Sequence, residues 1–491
     1  MFGIGRRRAG QPWDPERPLV QWSRRAAWTI RDSFNGTLIL GQTGSGKTSG
    51  SGRTIAEAML RAGYGALILT AKPGERTLWE NYCRNTGRSA DLLVFGPEEP
   101  WRFNFLDFEM RRGGPGAGLI ENIAQFLQLL PEMVKHERDE GGGHPDDPYW
   151  ETTKVQLSRN LVDLLGMAGQ EVSVPNLYKL LVSAPLSLQE ANSQQWQQYS
   201  FLYQCLVEAD QKVMDSDKRE DLKVVRDFFL EEYAGLSDKT RSIIKSTFTS
   251  SIDVLNRGIL RKLFCGGTNV TPQAIEAGKI ILVDFPIKEF GSIGGFANGL
   301  WKYAFQKSIE RRNTQERPRP VFLWADEAQF FVTNHDMDFH STCRSSAVAT
   351  VLLSQNLSNF YAVLGGDKTG EAQVDSIFGN CGLKIFHANG DPKTNHWASE
   401  LIGKTRQFLV HANQSYQPSD MFGDLLGLSQ TAQTSSGVNE VLEYEVQPSA
   451  FTRLRNGGPR NRFEVDAIVF TTDGVFPDNG RTWRLATFKQ R

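Results

Sequence analysis

Eight residues constrain this chain more than any other feature: Gly41-Gln42-Thr43-Gly44-Ser45-Gly46-Lys47-Thr48 satisfies G-x-x-x-x-G-K-[ST] at every fixed position. The short apolar run 37–40 precedes them. After them, Ile55, Met59 and Ala62 mark one face of a helix, with Gly63 as its expected C-cap. Strand, glycine-rich loop and helix in that order make a phosphate cradle, because glycines turn successive N–H groups inward and the helix N-terminus adds partial positive charge. Lys47 is expected to reach the β and γ phosphates of ATP, and the Thr48 hydroxyl to ligate Mg2+. Gly41, Thr43, Gly44, Ser45, Gly46, Lys47, Thr48 and Ser49 are therefore the expected nucleotide-binding residues. The bland alternative is a glycine-rich turn with an exposed lysine.

A phosphate cradle needs carboxylates, and one segment offers them. Val321-Phe322-Leu323-Trp324-Ala325-Asp326-Glu327 is an apolar run ending in two acids, as a buried strand does when it delivers charge to the edge where open α/β sheets bind ligands. Asp326 is the expected holder of magnesium's hydration shell, and Glu327 the expected activator of the attacking water. Two acids after a strand also serve as a helix N-cap, so the pair alone does not decide. Beside a phosphate loop, catalysis is the favoured reading. Another apolar run, Ala349 to Leu353, ends in Ser354-Gln355-Asn356. Gln355 is a candidate γ-phosphate sensor or water-orienting group, the alternative being an amide that satisfies backbone at a strand end. Arg344, ahead of that run, is a candidate arginine finger for a neighbouring subunit, with a structural or surface arginine as the alternative.

Further strand-like runs occur at 66–70, 92–95, 280–285 and 383–386, many with helical patterns between them. Fully apolar strands joined by helices predict a parallel α/β sheet covered on both faces. Between about 116 and 265 strand signals vanish. Helical periodicity takes over in Ile120, Ile123, Phe126, Leu127 and Leu130, in Leu157, Leu161, Leu164 and Leu165, and in Phe248, Ile252 and Leu255. An all-α domain inserted into the sheet domain follows, with the Gly-rich acidic stretch Asp139 to Pro148 as an expected mobile loop. After about 441, Leu442-Tyr444-Val446 alternates and Phe463 to Phe470 runs apolar, separated by a Gly-Gly-Pro turn at 457–459, which predicts a β-rich C-terminal flap. The expected division is a tail at 1–33, a nucleotide-binding domain in two parts at 34–115 and 266–440, the insertion at 116–265, and a β-rich extension at 441–491.

Bulk properties narrow the partners. The 55 Lys+Arg nearly cancel 56 Asp+Glu, which excludes a uniformly basic surface and leaves only local nucleic-acid contacts. Arg311, Arg312, Arg317 and Arg319 form the densest basic cluster, a candidate for phosphate contact or a solvated helix end. Cys83, Cys205, Cys265, Cys343 and Cys381 lie far apart and read as buried reduced thiols of a cytoplasmic protein. His335 and His340 flank Asp336 and Asp338 without zinc-type spacing. No run approaches the ~20 apolar residues of a membrane span. Met1 to Arg8 is expected to be a solvated tail, with lipid or DNA contact as the minority reading.

The motifs in this order resemble the type IV secretion coupling proteins, the TraG/TraD class of conjugative DNA-transfer ATPases. The resemblance runs from roughly 34 to 490 and rests on the phosphate loop, the helical insertion, Asp326-Glu327-Ala328-Gln329, the segment Arg344 to Gln355, and Asp391-Pro392-Lys393-Thr394-Asn395 before Leu401-Ile402-Gly403. Two departures stand out. Family members usually begin with membrane-spanning helices, and none is expected here. Many carry an Asp-Pro-Lys-Gly-Glu motif where this chain has Thr70-Ala71-Lys72-Pro73-Gly74-Glu75 and lacks the aspartate.

The resemblance implies a RecA-like P-loop fold in a homo-oligomeric, commonly hexameric, ring with ATP between subunits and DNA through the centre. It also implies an inserted domain that selects cargo at the cytoplasmic side. We therefore expect an ATP-driven translocase of single-stranded DNA, with or without an attached relaxase-like protein, held at the inner face of the membrane through a membrane-anchored channel partner. Two alternatives stay open: a soluble ring ATPase of plasmid maintenance, phage defence or protein secretion, and a nucleotide-dependent scaffold that is no motor.

Overall fold

The structure is a computed structural model that describes residues 13–114, 116–123, 126–127, 148–316, 318–333, 335–364, 368–415 and 433–490. The expected tail at Met1 to Arg8, Leu130, Arg317 and the Asp139–Asp147 stretch lie outside the described residues.

Apolar runs of four to seven residues become the strands of one sheet. The expected tail at 1–33 is corrected by a short hairpin, β1 (Pro18–Gln21) against β2 (Ala27–Thr29), whose Val20 and Trp28, with Ile30 at its end, are buried in the core. The sheet is built from β3 (Thr37–Leu40), β4 (Gly65–Leu69), β5 (Leu92–Phe95), β6 (Ile280–Val283), β7 (Val321–Ala325), β8 (Val348–Ser354) and β9 (Leu383–Phe386). These seven are parallel, in the spatial order β9-β3-β8-β7-β4-β6-β5. Successive side chains point to opposite faces, so each run feeds two cores. Leu38, Leu40, Leu323 and Leu352 join a cluster on one face. Ile39, Trp324, Val351 and Leu353 join another on the opposite face. Every residue of β3, β4, β6, β7, β8 and β9 is buried, as a sheet covered on both sides requires.

Helices account for nearly all the ordered structure between β5 and β6, with no strand there among the described residues. Helices Pro148–Met167, Phe201–Lys212 and Asp238–Ile252 bury Leu157, Leu161, Leu164, Cys205 and Phe248. Serine caps set the starts of the latter two: the Ser200 hydroxyl accepts from the Tyr203 N–H and that of Ser237 from Thr240. Their apolar stripe is continuous with one face of the sheet. Phe103 stacks on Trp301 at 4.6 Å between centroids, and Phe95 meets Phe264 at 5.1 Å.

The C-terminal part differs from the expected flap in where extended structure begins and in what it pairs with. Strands β10 (Lys404–Ser415) and β11 (Gln433–Tyr444) form a separate antiparallel hairpin, so extended structure returns well before 441. Strands β12 (Glu464–Thr471) and β13 (Trp483–Lys489) then continue the main sheet: β12 pairs antiparallel with β9, and β13 with β12. Left unpaired, β9 would present a row of open N–H and C=O groups; β12 covers it.

The basic cluster is also corrected. Arg311 pairs with Glu109 at 2.8 Å, Arg312 donates to the carbonyls of Arg319, Ser346 and Ala347, and Arg319 donates to the Gly63 carbonyl and lies over the Trp13 ring. These guanidiniums hold the helix Ile287–Glu310 and its following loop to their neighbours.

Candidate active site

Parallel strands place all their C-terminal ends on one edge, where five loops converge. Pairing of Leu40 with Ser354 and Phe386, and of Leu69 with Ala325, aligns the loops after β3, β4, β7, β8 and β9. Strand β8 lies between β3 and β7, so the phosphate loop and the acid pair face each other across a crevice one strand wide.

Within the phosphate loop, Gly44 (φ 78°) and Gly46 (φ 83°) take left-handed backbone that side chains resist. A Cβ at Gly46 would come within 2.6 Å of Val465 Cγ2 on β12, so the loop is braced from beneath by the C-terminal strands. The chain leaves the loop in a single π-type turn, Thr48–Gly52, where the Gly52 N–H donates to the Lys47 carbonyl at 2.8 Å, before helix Arg53–Arg61. Thr43 and Gly44 are exposed at the tip; Ser45 is buried.

The loop and the acid pair meet. The Thr48 hydroxyl donates to Asp326 Oδ2 at 2.8 Å, and Lys47 Nζ lies 3.8 Å from Glu327 Oε1. Hydroxyl and carboxylate are oxygen donors of the kind that one or two protein ligands give magnesium, and Lys47 is a buried cation at the cradle, so the set fits Mg2+ and a triphosphate. Glu327 is not a glycine yet sits at φ 52°, ψ 51°, a strain of about 1–3 kcal/mol that its contacts must hold. Those contacts are Lys72, Gln329 Nε2 at 2.9 Å and Gln355 Nε2 at 3.3 Å. Gln329 is itself fixed by the Ser354 hydroxyl at 2.8 Å.

Charge is shared unevenly. Burial alone would raise the Glu327 carboxyl, but Gln329, Lys72 and Lys47 outweigh it and hold it down at about 2, so Glu327 is ionised. Burial pushes Lys47 below the usual lysine range, partly offset by Asp326 and Glu327. For Lys72 burial acts downward too, but Asp326 and Glu327 prevail and raise it. Burial, then repulsion from Asp326, pushes Glu75 up to about 8.

Two expected residues fall differently. Arg344 is exposed in the turn Cys343–Ser346, ahead of β8 and so at the sheet edge opposite the phosphate loop. It takes no part in this chain's own site. The Ser49 hydroxyl accepts from Gln490 Nε2 at 2.7 Å, so its side chain is engaged by the C-terminal segment.

Lys72, Glu75, Gln329 and His387 had no role assigned from sequence. Lys72 and Glu75 follow β4, and His387 follows β9; a strand-end position on the ligand edge was the available signal. His387 Nε2 meets the Ser51 hydroxyl at 2.7 Å beneath the phosphate loop, and burial with repulsion from Lys47 pushes it down to about 3. His340 is buried as well and is pushed down to about 4. Both bind a proton more readily unfolded, so their contribution is complete above the ordinary value near 6.5 and is lost as pH falls from there toward 4 and then 3. Urea titrations at pH 7 and pH 5 should show a loss of about 2 kcal/mol per histidine, and His387→Asn should remove roughly half of that loss.

Fold and site define the class: a RecA-like P-loop fold with its phosphate loop on one strand and its acid pair two strands away. Residues 320–451 match the family model described as the TraM recognition site of TraD and TraG. The bacterial conjugative coupling protein TrwBdeltaN70, in a trigonal form with sulphate, is 15% identical with a TM-score of 0.59, over 98% of this chain and 90% of that one. TrwB with the non-hydrolysable GTP analogue GDPNP is 14% identical with a TM-score of 0.58, over 98% and 91%. TrwB with ADP and Mg2+ is 14% identical with a TM-score of 0.56, over 94% and 86%. The resemblance to TraG/TraD-like coupling proteins is thereby borne out, by the family model over 320–451 and by fold over nearly the whole chain. No curated protein matches by sequence. No helix among the described residues is long and apolar enough to cross a membrane.

Proposed function

We propose that this chain is an ATP-driven DNA translocase of the coupling-protein kind, working as a homo-oligomeric ring. The observation that carries the ATPase part is the Thr48–Asp326 hydrogen bond with Lys47 beside Glu327, which assembles the groups a triphosphate hydrolase uses from positions far apart in the chain. The fold shared with TrwB, which has been captured with ADP and Mg2+, supports nucleotide and magnesium as ligands. The match over 320–451 supports DNA transfer with a TraM-like protein as a partner, and single-stranded DNA with a relaxase-like protein is the cargo this reading favours.

In this reading the backbone N–H groups of Gly44 to Thr48 cradle the phosphates and Lys47 contacts the β and γ oxygens. Thr48 and Asp326 would hold magnesium, which would supply charge neutralisation to those oxygens. Glu327 orients the attacking water and takes its proton; Gln355, already bonded to it, reports the γ-phosphate to β8. Arg344, exposed on the opposite edge, is the group this reading offers to a neighbouring subunit. Near-neutral net charge suits a ring, in which each subunit adds only a few pore cations.

Assembled protein is expected to hydrolyse ATP faster with DNA present, and Lys47→Ala to lower kcat by about 10²–10³-fold, the usual loss for a preorganised phosphate contact. Steady-state ATPase assays with and without single-stranded DNA measure both. No turnover in any assembled state, or an unaffected Lys47→Ala, removes the proposal.

A further inference from the structure

Glu75 opens the helix Glu75–Asn85 at the end of the loop after β4, on the ligand edge of the sheet. Its side chain is 8% exposed. One carboxylate oxygen, Oε2, accepts from the Ala71 N–H at 2.8 Å. The other, Oε1, is buried and has no hydrogen-bond partner among the described residues. That is a costly state for a carboxylate oxygen, about 1–3 kcal/mol, and burial beside Asp326 accordingly favours the protonated acid; a cation next to it would restore the carboxylate and give the open oxygen a ligand.

The surroundings say which. Glu75 lines a small cavity together with Thr48 and Asp326, walled by Trp79, Tyr82 and Trp324. Thr48 and Asp326 are the oxygen donors assigned to magnesium, whereas the aromatic walls offer an anionic oxygen little but apolar surface. Magnesium gives up its waters reluctantly and keeps several when protein-bound, and those waters need acceptors. A carboxylate anchored through one oxygen and open at the other meets that need.

We propose that Glu75 is an outer-sphere carboxylate of the magnesium site, its Oε1 accepting a hydrogen bond from a metal-bound water on the side away from the phosphates. The inference rests on the nucleotide-hydrolase reading and assigns a task to the glutamate of Thr70–Glu75, the segment that departs from the family's acidic motif. Glu75 is a positioning residue: it touches neither the nucleotide nor the attacking water.

The test titrates MgCl2 into full-length protein with a fluorescent ADP analogue, and repeats the binding in EDTA. Glu75→Gln keeps an oxygen for the Ala71 N–H but no carboxylate, so the magnesium midpoint should rise by about 10–100-fold while affinity in EDTA stays unchanged. Glu75→Asp, which retains the charge on a shorter arm, should shift the midpoint in the same direction by less. An unshifted midpoint in Glu75→Gln overturns the inference. So does an equal loss of affinity in EDTA, because the side chain would then merely brace the loop. If wild-type affinity ignores magnesium altogether, the hydrolase reading falls first; if wild type responds and the variant responds alike, only this inference falls.

Discussion

Glu327→Gln is expected to bind nucleotide as the wild type does and to turn over about 10²–10⁴-fold more slowly, the range supplied by a positioned general base. The carboxylate is held ionised by two lysines and two amides, so it stands ready to accept a proton. Glutamine has nearly the same shape and its one carbonyl oxygen can still accept from Lys72 and Gln355 at the Oε1 position, giving up only the bond from Gln329, so the turn at φ 52° keeps most of its support. Single-turnover assays separate the steps: binding rates should match, and the chemical step should not. Turnover within about tenfold of wild type would take Glu327 out of the base role.

Asp336→Ala should be the most destabilising single substitution near the site, costing about 3–5 kcal/mol. Lys302 and Asp336 form an ion pair at 2.5 Å, each about one-twentieth exposed. Gln306 Nε2 and the Thr333 N–H complete the carboxylate's shell at 2.7 and 2.6 Å. The pair ties the long helix Ile287–Glu310 to the segment that leaves the acid motif. Removing the aspartate leaves the buried ammonium, still bonded to the Phe331 carbonyl and Thr333 hydroxyl, without a counter-charge, whereas Lys302→Met with Asp336→Leu removes both charges and should recover most of the loss. Urea unfolding of the single and double variants measures it. A double variant as unstable as Asp336→Ala would show that hydrogen bonds to Gln306 and Thr333, rather than the stranded charge, set the cost.

Much of the architecture was legible because strands buried on both faces read as plain apolar runs. The runs at 92–95, 321–325 and 383–386 became β5, β7 and β9 with no shift, and Gly63 follows helix Arg53–Arg61 in left-handed backbone as expected. The extended run Phe463 to Phe470 became β12, whereas β13, with mixed burial, and the hairpin β10–β11, which starts well before 441, carried no clear apolar pattern. Only pairing with β9 gives β12 its place. The arginines at 311, 312 and 319 showed the same difficulty: a cluster along the chain says nothing about carbonyls and carboxylates brought to it from 63, 109 and 346.

By itself the sequence determined the phosphate loop, the acid pair and the strand that carries each, since local backbone requirements and apolar runs are properties of neighbouring residues. Tertiary structure alone decided that Thr48 meets Asp326, that Lys72 and Gln329 hold Glu327, that Arg344 lies on the far edge, and that Glu75 keeps one oxygen open. These are juxtapositions set by strand order, and strand order follows from how helices of many residues pack against a twisted sheet rather than from any short stretch of chain.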